Sequence, residues 1–251
     1  MFPMSLFQVA VNPTIPSSRQ SAVLPFLLAV AAPVVVIICI DVLHSVWWTF
    51  ALYQVGVCLV LPAVESRAQG RSWREHAILL GLRAPETHGR HVKLAIVLAI
   101  LTALVTGGFL LLVRHTLLDP SRLAAALAKW GVAPGQTLAA LGVMALLDAA
   151  AEELFWRGYF PGRVLSSKPD APVALTVLLP AMLYASYHAI TLAGLVGNVV
   201  GVAVMTAGVL GAGLVWGWLR LRTGSVWPSL ASHSGAVVAY LAVHLALTAR
   251  S

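Results

Sequence analysis

Seven apolar stretches, each close to the length that crosses a bilayer, leave a chain of this size little choice of fold. They run over about 22–40, 45–63, 92–113, 138–160, 172–192, 194–218 and 225–247, and roughly 17–25 apolar residues make a transmembrane helix. The 251 residues are 59% hydrophobic and 10% charged, with a mean hydropathy of +0.88. No strand-like alternation is long enough to suggest a membrane barrel. The expectation is an all-α, polytopic transmembrane bundle of about seven spans, with short interfacial helices. Trp73–Leu82, followed by Arg83-Ala-Pro85, suits one such helix, and Leu123–Trp130, led in by Asp119-Pro120-Ser121, suits another. The glycines between Gly194 and Gly217 read as a packing helix, since small residues let helices approach in lipid.

The N-terminal apolar run continues to Ile40, too long for a secretory signal, so an uncleaved first span is expected. Cys39 and Cys58 lie within spans without metal-ligand spacing and read as small buried thiols. A net charge of +7 would suggest nucleic acid in a soluble protein. Here the cations fall in connections between spans, so they report topology instead and no nucleic-acid partner is expected. One side carries eleven: Arg19, six from Arg67 to Lys93, Arg163, Lys168, Arg220 and Arg222. The other carries four, at Arg114, Arg122, Lys129 and Arg250. The positive-inside rule then sets the N-terminus in the cytoplasm and the C-terminus outside.

Against this apolar background, Asp148-Ala-Ala-Ala-Glu152-Glu153-Leu-Phe-Trp-Arg157 places three of the chain's nine acidic residues inside a span. A charge at that depth costs roughly 2.5–3.5 kcal/mol on insertion scales, so it is paired, solvated or functional. The helical period pairs Asp148 with Glu152 and Glu153 with Arg157. Arg157 can then neutralise Glu153 and leave Glu152 free for chemistry. His188 and His233 lie in later spans, and buried polar groups seek one another, so Glu152, His188 and His233 are expected to converge. His244, about 16 Å from His233 along its helix, is left to packing. An H-E-x-x-H zinc site is absent, no glycine-framed turn accompanies Ser186, Ser232 or Ser234, and Asp148 has no buried aspartate partner. What remains is water activated by a carboxylate, with imidazoles as hydrogen-bond or metal partners.

Glu152-Glu153-Leu-Phe-Trp-Arg157 resembles the E-E-x-x-x-R signature of the CPBP family, also called the Abi or CAAX-protease family, in its bacterial branch. Tyr184-Ala-Ser-Tyr-His188 matches the family's F-x-x-x-H motif with Tyr for Phe. The last motif, His followed four residues later by Asn or Asp, is met at His233 and departs at Val237. The resemblance covers about Leu138–His244; together with the spans and the charge distribution it gives an expected cytoplasmic tail at 1–21, N-terminal transmembrane helices and interfacial segments at 22–134, and a catalytic transmembrane core at 135–248. It implies an intramembrane endopeptidase in a bacterial cytoplasmic membrane, multi-pass and surrounded by lipid. The substrate would be a peptide or membrane-anchored protein, cut near the cytosolic face. Glu152 would be the general base, His188 would hold the water, and His233 would stabilise the oxyanion. Glu153 and Arg157 would support them, with Tyr184 or Tyr240 replacing the donor missing at Val237. The family's metalloprotease label brings in an alternative, a divalent metal such as Zn²⁺ held by Glu152, His188 and His233. Two rival readings are a proton- or cation-coupled transporter using Asp148, Glu152 and His188, and a catalytically inactive scaffold of the same fold. No inverted repeat supports the transporter.

Overall fold

The computed structural model describes residues 23–82, 88–114, 116–117 and 120–248. The tail at 1–21, Arg83-Ala-Pro85, Asp119 and the cations Arg19 and Arg250 lie outside these residues. Among the described residues there are nine helices and one 3-10 turn, Pro134–Gln136, with no strand. Seven are long: α1 (Val23–Val42), α2 (Val46–Ala68), α4 (His88–Val113), α6 (residues 137–167), α7 (Ala174–Leu195), α8 (Val199–Thr223) and α9 (Trp227–Thr248). Two are short, α3 (Trp73–Leu79) and α5 (Pro120–Lys129). Six of the long helices are apolar enough to cross a membrane by length and composition. The seventh is α6, which carries Asp148, Glu152, Glu153 and Arg157. The chain is an all-α, multi-pass bundle.

Prolines shape three of the spans. A proline ring pushes away the carbonyl four residues before it and offers that carbonyl no N–H. Pro62, Pro161 and Pro180 each sit just after a wide, π-helical stretch, at 49–60, 154–159 and 174–178, which contain the displaced carbonyls of Cys58, Arg157 and Thr176. A second π stretch in α6, at 144–148, ends on Asp148. The single α-helical turn bearing Glu152 and Glu153 is therefore bracketed by π turns, a feature frequent where helices carry function.

The short helices close opposite ends of the bundle. Ser72 caps α3 through a reciprocal box with Glu75, and the Ser72 N–H and hydroxyl hold the exposed Glu75 carboxyl below its usual range. The helix stops before Gly81, whose φ of 75° only glycine adopts easily. Leu79 and Leu80 then press directly on Gly158 and Gly162 of α6, where a Cβ would strike their carbonyl oxygens. Trp227 Nε1 donates to the Leu82 carbonyl and Val226 N–H to that of Gly81, which pins α3 to the α8–α9 turn. At the other end, Trp130 after α5 accepts from Val46 N–H and packs against Gly194.

The glycine-rich helix is a packing helix only in part. Gly213 and Gly217 let α8 lie against Ala181 and Val177 of α7, whereas Gly208 and Gly211 face open space. It starts five residues later than Gly194, because Asn198 accepts the Gly201 N–H as an N-cap. Between α4 and α9, Gly235 meets the Ala99 backbone so closely that no Cβ would fit.

Candidate active site

Glu152 and Glu153 are adjacent on α6 and fully buried, 1% and 0% exposed, so their side chains leave the helix in different directions into different company. Glu153 meets Arg157 one turn on, Oε1 to Nη1 at 2.9 Å. The Arg157 guanidinium in turn lies over the rings of Tyr184 and Trp216, 4.5 and 5.0 Å from their centroids. The same Glu153 oxygen faces His233 Nδ1 at 3.2 Å. A carboxylate only accepts, so Nδ1 carries the proton, and in the neutral ring Nε2 is left as the acceptor. That Nε2 points at the Tyr184 hydroxyl, 3.3 Å away, and at Glu152 Oε2, 3.9 Å away. Trp216 stacks on the His233 ring at 4.4 Å and donates its Nε1–H to Ser232, which also bonds Thr102.

Glu152 Oε1 ends a directed chain of hydrogen bonds. Trp156 Nε1–H, a donor only, meets the Tyr53 oxygen at 2.9 Å. Tyr53 lies 2.7 Å from the Tyr187 oxygen, and Tyr187 donates to Glu152 Oε1 at 2.5 Å. With a donor at one end and a carboxylate at the other, the protons of both tyrosines must run toward Glu152, and such chains strengthen each member. Tyr53 is also 3.1 Å from Glu152 Oε1, a second acceptor for its one proton. Glu152 Oε2, by contrast, has no hydrogen-bond partner among the described residues.

This arrangement makes a stability prediction. In Tyr187→Phe, Tyr53 can turn its proton onto Glu152 Oε1, and the loss should stay within about 1 kcal/mol. Tyr53→Phe strands the buried Trp156 N–H and should cost about 1–3 kcal/mol. Denaturation of the purified variants checks the order, and Tyr187→Phe proving the more damaging would break the proposed direction of the chain.

Of the residues singled out in the sequence, Asp148, Glu152, Tyr184, His188 and His233 all line one cavity of about 610 Å³, with Val237 and Tyr240 on its wall. Glu153 and Arg157 lie behind it. His188 turns its Nδ1 to the Tyr184 carbonyl at 2.9 Å and packs against the rings of Tyr184 and Tyr187, so the hydroxyl bonded to Glu152 belongs to its neighbour Tyr187.

The group that could hold a metal differs from Glu152, His188 and His233. Asp148, Glu152 and His233 bring one ligating atom each within 4.8 Å of one another. Zinc bonds of about 2.0–2.2 Å to such atoms need somewhat closer spacing. The set fits such an ion with small rotamer shifts, given the bare Glu152 Oε2 and an acceptor Nε2 backed by Glu153, the usual support for a metal-binding histidine. Asp148 is itself steadied by Gln54 Nε2 at 2.8 Å.

Tyr53, Gln54, Tyr187 and Trp216 are the site residues that the sequence reading did not select. The available signals were Gln54 in the middle of an apolar span and Tyr187 three residues after Tyr184 on the same helix.

Residues 134–239 match the family model described as type II CAAX prenyl endopeptidase Rce1-like. This segment contains every site residue from Asp148 to Val237, while Tyr53 and Gln54 enter from α2, outside it. No curated protein and no solved structure gives a significant match.

Proposed function

Through residues 134–239 the chain belongs to the CPBP, or CAAX-protease, family, and on that premise we propose that it hydrolyses a peptide bond of a membrane-associated polypeptide, with Glu152 as the base that activates water. The observation that carries this reading is the asymmetry of Glu152: one oxygen is tied by Tyr187 and Tyr53, and the other is bare at the cavity wall. A water on Oε2 passes a proton to the carboxylate as its oxygen attacks the scissile carbonyl carbon. The same carboxyl then hands the proton to the departing amine. His188, whose Nδ1–H is committed to the Tyr184 carbonyl, offers Nε2 to orient that water. Asp148, Glu152 and His233 are the residues that would hold a divalent ion. Such an ion, when bound, would lower the pKa of a water and polarise a carbonyl.

The oxyanion donor in this reading is Tyr184. Its hydroxyl lies beside His233 Nε2 on the cavity wall, whereas the His233 Nδ1–H is turned away from the cavity onto Glu153. Tyr184→Phe should lower kcat by about 10²–10³-fold with KM little changed, because the bond forms only as charge develops. Val237→Asn should be neutral in the native chain and restore part of the loss in Tyr184→Phe, while Tyr240→Phe should be silent. Steady-state kinetics on these variants check the assignment, and damage from Tyr240→Phe alone would move it to the other tyrosine.

The reading itself is tested by giving detergent-purified protein a quenched peptide library, with Glu152→Ala as the blank. Cleavage that persists in the blank would remove Glu152 from the reaction. The bacterial cytoplasmic membrane and a cytoplasmic N-terminus are part of the same proposal, the latter resting on the distribution of Lys and Arg.

A further inference from the structure

We propose that Gln54 is a substrate-binding residue, whose amide oxygen accepts a backbone N–H of the bound polypeptide close to the scissile bond. That the ligand is a polypeptide rests on the peptidase reading above; the placement of the acceptor does not.

Gln54 stands in the apolar stretch 45–63, which holds no charged residue and no other side-chain amide. Burial along 49–58 comes in pairs four residues apart: Thr49 with Phe50, Tyr53 with Gln54, and Val57 with Cys58. The middle pair reaches the acids of α6, Tyr53 meeting Glu152 and Gln54 meeting Asp148. A strongly polar side chain at such depth is expensive in lipid and faces the bundle interior or a cavity. Gln54 does both, being 3% exposed and lining the same cavity as Glu152. It also lies outside residues 134–239, so the family match assigns it no role.

Asp148 tells the two ends of the amide apart. A carboxylate only accepts, so the group 2.8 Å from Asp148 Oδ1 is the NH2 of Gln54. The other end is then the carbonyl oxygen, Oε1, which is buried and has no hydrogen-bond partner among the described residues. A buried acceptor left unmade is costly, so a donor that reaches it contributes to binding. The neighbouring Asp148 carboxylate and the acceptor character of Oε1 together exclude an anion. An ammonium would carry its charge into a cavity whose wall is mostly aliphatic and aromatic, which is costly in turn. A neutral donor remains, and an extended peptide offers one as the backbone N–H of each non-proline residue.

Distance restricts which N–H is held. The Gln54 NH2 is one hydrogen bond from Asp148, which brings a carboxylate oxygen within 4.8 Å of ligating atoms of Glu152 and His233. At about 3.3 Å per extended residue, Oε1 is no more than about three residues from the carbonyl under attack. Gln54 therefore grips the backbone and not a side chain. It sets the register of the substrate on Glu152 while leaving its sequence free.

The test uses N-acetylated, fluorescent peptides selected for binding to detergent-purified Glu152→Gln protein. Each is remade with its backbone N–H groups replaced, one at a time, by an ester oxygen. Fluorescence anisotropy should find one position at which the ester weakens binding roughly tenfold. With Gln54→Leu added, that ester should bind as well as its parent peptide. A residue that only steadied Asp148 would weaken parent and ester alike. Gln54→Met gives the same reading where Gln54→Leu fails to accumulate. No penalised position, a penalty that survives both Gln54 variants, or no peptide bound at all would overturn the proposal. A coupled position in a peptide that the native chain does not cut would sink the peptidase reading and leave the acceptor site standing. Cleavage without a coupled position would sink the acceptor site alone.

Discussion

Glu152→Gln should abolish peptide hydrolysis in a protein that inserts and folds normally. The amide oxygen of Gln can still accept the Tyr187 hydroxyl that now meets Glu152 Oε1 at 2.5 Å, so the chain from Trp156 keeps its terminus. The amide nitrogen would occupy the place of Oε2, which has no hydrogen bond from the described residues to lose. What disappears is the ability to take a proton from water. General-base catalysis contributes about 10²–10⁴-fold, so kcat should fall by at least that factor while the melting temperature barely moves. Single-turnover cleavage of a quenched peptide, run beside thermal unfolding in detergent, checks both halves. Wild-type turnover by the folded variant would falsify the assignment of Glu152 as base.

Arg157→Ala should be the most destabilising single change in the site. Arg157 and Glu153 are 2% and 0% exposed as a pair, so the alanine leaves Glu153 charged and without its 2.9 Å partner in a low-dielectric interior. Breaking a buried pair from one side costs about 3–5 kcal/mol, because the remaining charge has already lost its water. The stacked guanidinium over Tyr184 and Trp216 is lost as well, and with it the packing that holds Trp216 against His233. Arg157→Lys keeps the charge without the planar fork and should recover part of the stability. Glu153→Gln combined with Arg157→Ala should be better tolerated than Arg157→Ala alone, since no unpaired charge remains. Thermal unfolding and membrane yield of the four proteins measure this. Equal melting temperatures for the native chain and Arg157→Ala would show that the pair is not buried.

Much of this protein was legible in one dimension because lipid enforces simple rules. Apolar runs of bilayer length must be helices, since no water is available to satisfy the backbone of anything else. Acids within such a run must be paired or used, and the four-residue spacing alone matched Glu153 to Arg157. Sequence could also place α5 and α3 as short helices and select His188 and His233 as the later polar groups worth attention. It could not say which hydroxyl holds Glu152, because Tyr53 is 99 residues away from it on α2 and no local period connects them. Nor could it exchange His188 for Asp148 in the metal-capable group. That choice depends on how α6 and α9 pack together, which sets Asp148 and Glu152, one turn apart on α6, beside His233. Nor could it show that Leu79 and Leu80 close one end of the bundle, since that contact exists only because Gly158 and Gly162 of α6 have no side chain to keep a third element away.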